Sequence, residues 1–184
     1  MNHKQLVTAS KFLSKHLRHQ PEALGLVLAE GGWVEVATLL NACARHGFPI
    51  TREQLDDIVR TSDKKRFAFD ETGLRIRANQ GHSTAVDLQL QPVEPPALLY
   101  HGSAEKNATP ILAFGLLKMK RHHVHLSLDA AMALKVGQRH GKPVLFAIDS
   151  AAMAAKGIVF YCSANGVWLT DHVPPQFLRV VEET

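Results

Sequence analysis

The chain has 184 residues, 46% of them hydrophobic and 21% charged, with a formal net charge of +4 and eleven histidines. These proportions are close to globular averages, so a packed core is expected, and the positive balance favours polyanionic partners. No run approaches the ~18 apolar residues of a membrane span, and the N-terminus MNHKQLVTASKFL lacks the apolar core of a signal peptide, so a soluble cytoplasmic protein is expected.

Leu6, Ala9, Leu13 and Leu17 recur at three- and four-residue steps and predict a first helix running to Arg18. Pro21 suits the first turn of a short second helix and Gly25 its end. Residues 36–46 are apolar at helical spacing and stop before Gly47, a natural left-handed cap. Thr51 and Gln54 form a capping box, each side chain satisfying the other's free backbone donor, and open a helix through Arg60. Residues 67–69 and 74–78 around Asp70-Glu71-Thr72-Gly73 read as a hairpin. Helices followed by a hairpin are the pattern of a winged helix.

Residues 84–97 contain Pro92, Pro95 and Pro96, which neither continue a helix nor donate to a ladder, and read as a linker. It separates an N-terminal lobe, 1–83, from a C-terminal lobe, 98–184. In the latter, candidate strands are 98–101, 124–126, 144–148, 158–161, 167–170 and 178–181. Ser127 is placed to cap a helix over 129–140, ended by Gly141. So many strands with so few helices predict an α+β class, not a doubly wound sheet.

Polar clusters punctuate this pattern. Arg18-His19 closes the first helix; it offers a rigid fork and a titratable ring to a phosphate, and it equally complements the helix C-terminal dipole. Asp63-Lys64-Lys65-Arg66 leads into the hairpin, where alternation puts Lys64 and Arg66 on one face and Phe67 on the other; Asp63, Asp70 and Glu71 are available to neutralise them. Arg75 and Arg77 alternate with Leu74 and Ile76 and so face solvent or a ligand, and the turn Gln80-Gly81-His82-Ser83 needs partners for its polar side chains. Tyr100-His101-Gly102-Ser103 ends a strand with a glycine that allows close approach of a ribose or carboxamide, or merely turns. His123 and His125 share a strand face, with Val124 and Leu126 buried. No cysteine or carboxylate beside them completes a metal site, so none is assigned. Cys43 and Cys162 match neither zinc nor disulfide spacing, as in a reducing compartment. There is no GxxxxGK[ST] loop, GxGxxG fingerprint or GxSxG elbow, and carboxylates are scarce around the cations, which disfavours magnesium-assisted phosphoryl transfer.

Taken in order, LRHQPE at 17–22, DKKRF at 63–67, ANQGHS at 78–83, YHGS at 100–103 and RHHVHLS at 121–127 resemble the motif series of the KptA-type RNA 2′-phosphotransferases across nearly the whole chain. The resemblance implies a winged-helix RNA lobe followed by an ADP-ribosyltransferase-like lobe that holds NAD, with no metal and no obligate protein partner. It places the catalytic set on Arg18, His19, Arg66 and Arg121. RNA or phosphate contacts fall to Lys64, Arg77, Gln80, His82 and Ser83. NAD contacts fall to His101, Gly102, Ser103, His125 and Ser127, with His123 on the same face as His125. Ser103 stands where family members often carry threonine, and a hydroxyl is kept. The implied reaction moves an internal 2′-phosphate from a tRNA-like RNA, as in tRNA splicing, to NAD. Two other readings compete: ADP-ribosyl transfer to a protein or a terminal nucleic-acid phosphate, and a winged-helix regulator. Glu53, Asp56 and Asp57 on the helix at 51–60 argue against insertion of that helix into a major groove.

Overall fold

The computed structural model describes residues 1–62 and 64–181, apart from the His140 side chain; Asp63, expected among the neutralising carboxylates, lies outside the described residues. The chain is mixed α/β, built from small antiparallel sheets and short helices, and divides into two compact units, Met1–Gln89 and Leu90–Thr184.

In the first unit α1 spans His3–Arg18, with Asn2 and Gln5 forming a capping box at its start. Its apolar face is spent on the core: Ala9, Leu13 and Leu17 are fully buried, each leucine contributing about 1.5–3 kcal/mol. A single 3-10 turn, Pro21–Leu24, follows and ends on Gly25. α2 (Val36–Arg45) stops ahead of Gly47, whose φ is 74°. α3 (Arg52–Thr61) opens with the expected reciprocal bonds, Gln54 N to Thr51 Oγ1 at 3.2 Å and Thr51 N to Gln54 Oε1 at 3.0 Å. The hairpin strands are β2 (Phe67–Phe69) and β3 (Arg75–Ala78). A third strand, β1 (Val34–Glu35), pairs with β3, giving the order β1-β3-β2. Sequence reading did not find β1, because two residues are too short to show a period; the hairpin's free edge decides their pairing.

Two expectations at the hairpin change. Lys64 and Arg66 precede β2, and Lys65 takes a φ of 40°, so strand alternation does not orient them. Leu74 lies outside β3 and is 63% exposed, whereas Ile76 is fully buried.

The second unit is organised on β4 (Leu98–Ala104) and β7 (Pro143–Asp149), paired along their whole length, with β11 (Leu178–Val180) on the other edge of β7. A second sheet has the order β6-β9-β8, with β6 at Val124–Leu126, β8 at Phe160–Cys162 and β9 at Trp168–Thr170. The pair β5 (Leu116–Leu117) and β10 (His172–Val173) was not expected. Helices α4 (Ala108–Phe114), α5 (Ala130–Gly137) and α6 (Ser150–Ala155) cover the sheets.

Three corrections follow. The strand at 98 does not end at His101 but continues through Gly102 and Ser103 to Ala104. The cap of α5 is Asp129, whose carboxylate accepts from Met132 N at 2.7 Å; Ser127 instead exchanges backbone bonds with Tyr100. The α-helix stops at Gly137 and a 3-10 turn carries the chain to His140. The proline-rich stretch is tied down at intervals: Asp87 O accepts from Gly31 N at 2.9 Å, and Pro96 O accepts from the Ser150 hydroxyl at 2.6 Å.

Candidate functional site

A cleft of about 650 Å³ in the first unit runs along α1 and is closed by the end of α3 and by Ser62, Lys64 and Arg66. Arg18, His19, Lys64 and Arg66, singled out in two distant motifs, line it together. Arg18 comes from the last turn of α1, and its guanidinium Nη2 donates to the Arg66 carbonyl at 3.3 Å. Arg66 Nη1 reaches Ser10 Oγ at 3.5 Å. Both contacts are long, near the limit of a hydrogen bond.

The 79–83 turn holds this arrangement in place. Ser83 N and Thr84 N donate to the Arg18 carbonyl at 2.9 and 3.2 Å, and His19 Nδ1 lies 2.8 Å from Ser83 Oγ. Gly81 beside Arg18 takes a φ of 88°, a left-handed conformation that glycine adopts freely. Asn79, which sequence reading passed over, is only 6% exposed. Its Nδ2 donates to Lys65 O at 2.6 Å and its backbone N to Arg66 O at 2.9 Å. Asn79 thus clamps the left-handed turn that delivers Lys64 and Arg66 to the cleft. The signal was present, since an asparagine beside a polar turn commonly bonds backbone, but its partner lies fourteen residues away.

Two of the expected phosphate contacts sit elsewhere. Arg77 stacks over the Trp33 ring at 4.6 Å and donates to Gly31 O at 3.3 Å; burial holds its pKa below the ordinary arginine value. His82 is 1% exposed, with its Nε2 packed where a side chain on Gly32 would lie. Both belong to the packing behind the turn and neither lines the cleft. Gln80 is half-buried in the same turn.

In the second unit His101 is half-buried on β4, its Nδ1 3.0 Å from the His125 carbonyl. Only a protonated nitrogen bonds a carbonyl, so Nδ1 carries the hydrogen and Nε2 of the neutral ring presents a lone pair. Burial holds the His101 pKa below its ordinary value, the Arg121 charge adds to this, and the His125 carbonyl opposes it. Arg121 is exposed in the turn before β6, its backbone N bonded to Lys118 O at 3.0 Å. Ser103 Oγ accepts from Asn107 Nδ2 at 3.2 Å. His123 leans on the Tyr161 ring with centroids 5.4 Å apart, and burial lowers its pKa. Gly102 has a packing reason: a side chain there would stand 1.8 Å from the Ala133 carbonyl of α5, and one at Gly137 would stand 2.9 Å from Ser103 N. The two glycines let α5 cross β4 in backbone contact. Among the described residues no group of three or more histidines, cysteines or carboxylates is placed to hold a metal, and no helix is long and apolar enough to cross a membrane. Cys43 is buried, which pushes its thiol up to about 11 and leaves it unreactive.

Comparison with known proteins agrees with this motif series. Residues 4–172 match the family described as "RNA 2'-phosphotransferase, Tpt1 / KptA family". A "Probable RNA 2'-phosphotransferase" of Trichormus variabilis is 61% identical over 181 residues, covering 98% of this chain and 100% of that protein. Proteins with the same name from Nostoc punctiforme and Streptomyces coelicolor are 59% and 55% identical, covering 98% and 97% of this chain and 100% and 97% of their own. The chain belongs to the RNA 2′-phosphotransferase, Tpt1 / KptA family.

Proposed function

We propose that the chain removes an internal 2′-phosphate from RNA by transferring it to NAD. The observation that carries this reading is the cleft in which Arg18, His19, Lys64 and Arg66 face one space. Guanidinium forks supply charge and directed donors to a phosphoryl group, so a dianion is held without a metal.

In the first step an oxygen of the 2′-phosphate attacks the anomeric carbon of the nicotinamide ribose. The glycosidic electron pair leaves with nicotinamide, which departs neutral. Arg18 and Arg66 orient the nucleophile and bear its charge. In the second step the neighbouring ribose 2″-hydroxyl attacks phosphorus and loses its proton. The RNA 2′-oxygen departs and gains one. The products are RNA with a free 2′-hydroxyl and ADP-ribose 1″,2″-cyclic phosphate. His19, exposed and next to Ser83, is assigned the proton to the leaving oxygen, and Arg121 the charge developed on phosphate oxygens.

The remaining assignments follow the same reading. Residues 1–83 form a winged-helix-like RNA lobe, supported by the order helix, strand, helix, helix, strand, strand; 84–97 is a linker. Residues 98–184 form an ADP-ribosyltransferase-like lobe for NAD. There His101, Ser103, His125 and Ser127 would hold the dinucleotide, the neutral His101 ring offering Nε2 as an acceptor to a hydroxyl. Lys64 and Ser83 support the phosphate; Arg77 and His82 serve packing.

NAD consumption measured with 2′-phosphorylated RNA, with 5′-phosphorylated RNA and without RNA tests the proposal. Release of nicotinamide only with the 2′-phosphorylated strand, matched by ADP-ribose 1″,2″-cyclic phosphate, is expected. Consumption driven equally by the 5′-phosphate would reassign the chain to another acceptor.

A further inference from the structure

The cleft is longer than one phosphate requires. Besides the Arg18 end, its wall along α1 includes His3, Ser10, Lys11, Ser14 and Lys15. From His3 to Arg18 the helix rises about 22 Å at 1.5 Å per residue. These positions recur at three-, four- and seven-residue intervals, which stacks them along one side of the helix, beside the stripe of buried Ala9, Leu13 and Leu17, with Lys11 and Lys15 farthest from it. Lys11 and Lys15 are exposed and form no ion pair among the described residues. The α1 sequence carries no aspartate or glutamate. The Ser14 hydroxyl is buried against the cleft and has no hydrogen-bond partner among the described residues.

Helix stability does not explain this row. Cations complement the dipole only in the last turn, whereas the first turn of α1 holds His3 and Lys4 and no acidic residue, the unfavourable arrangement. Like charges at i, i+4, as Lys11 and Lys15 are, add further repulsion. A row of unneutralised cations lining a groove that leads to a phosphate site fits a polyanionic strand.

Resting on the proposed activity, we propose that the Lys11–Lys15 side of α1 binds the phosphodiester backbone of the RNA segment adjoining the 2′-phosphorylated nucleotide. The substrate is then a strand several nucleotides long, read by its backbone charge and not by its bases. The 2′-phosphate sits at the Arg18 end, and the neighbouring phosphates follow the helix towards His3.

The test compares wild type with the Lys11→Gln/Lys15→Gln double variant, two exposed positions where the fold is retained, checked by the thermal midpoint. Steady-state kinetics on a 2′-phosphorylated dinucleotide and on a longer 2′-phosphorylated strand give one readout. Fluorescence anisotropy with the longer strand lacking the 2′-phosphate, titrated against salt, gives another that needs no turnover. Wild type is expected to prefer the longer strand through KM, and the double variant to lose that preference. Each lysine removed flattens the slope of log affinity against log salt by about 0.7, so between about 50 and 200 mM salt wild type loses roughly sevenfold more affinity than the variant. An unchanged preference and slope would overturn the proposal, as would equal losses on both lengths, which would put the lysines at the 2′-phosphate itself. A chain that turns over neither strand refutes the activity instead, and the anisotropy arm still decides the backbone track.

Discussion

Among the described residues the Arg66 side chain makes one long hydrogen bond, to Ser10 at 3.5 Å, and it lines the cleft. Arg66→Ala is therefore expected to leave the fold intact and to slow turnover of 2′-phosphorylated RNA by about 10²–10³-fold, the scale of a lost transition-state donor. Arg66→Lys restores the charge but not the fork and is expected to recover little; unaltered rates in either variant would remove Arg66 from the mechanism. His19 acts later. His19→Ala is expected to let a phospho-ADP-ribosylated RNA accumulate in single-turnover gels, and equal slowing of both steps would argue against proton transfer. His101 gives a pH signature. A histidine whose pKa is lowered by folding stabilises the protein fully above the unfolded value of ~6.5, and that contribution is lost as pH falls from there through the lowered value. Burial depresses His101, and also His16 and His123, in the same direction. The thermal midpoint should therefore fall below about pH 6.5, less steeply in His101→Gln; an identical fall would contradict the desolvated neutral ring.

Elements position these residues. The Asn79 side chain at the end of β3 fastens the Lys65 turn, and burying a donor or acceptor without its partner costs about 1–3 kcal/mol. Asn79→Ala is expected to destabilise by that amount in chemical denaturation and to lower RNA turnover, because Lys64 and Arg66 lose their fixed approach. Normal activity would show that the loop holds itself. At the crossing of α5 and β4, Gly102→Ala must move the backbone of Ala133 and is expected to cost at least about 1–3 kcal/mol, the range of core overpacking. A neutral outcome would mean that the helix slides freely. Sequence pattern revealed the long elements well. The 3.6-residue period of α1, the Thr51–Gln54 box and the turn at 70–73 are local signals, and each appears where expected. What it could not reveal was non-local. β1 exists because β3 offers an edge, Lys65 leaves the strand because Asn79 holds it, and Gly102 meets a helix thirty-odd residues on.

At the scale of the molecule, each unit has its own core. Among the described residues the fully buried members of one apolar cluster run from Ala9 to Ala78 and those of the other from Leu99 to Val173. Residues 1–89 expressed alone are expected to unfold cooperatively on heating, and a non-cooperative melt would show that the unit is not self-sufficient. The candidate site was legible to the same degree. Arg18, His19, Lys64 and Arg66 came from motifs and do line one cleft, whereas Arg77 and His82, expected at the phosphate, pack against Trp33 and beside Gly32, which only the three-dimensional arrangement reveals. The most direct measurement is calorimetric titration, without NAD, of wild type and Arg18→Ala/Arg66→Ala with two oligonucleotides identical but for one 2′-phosphate. Wild type is expected to bind the phosphorylated strand more tightly and the double variant to bind both alike. Equal affinities in wild type, or a preference that survives loss of both arginines, would contradict the assignment of this cleft to the 2′-phosphate.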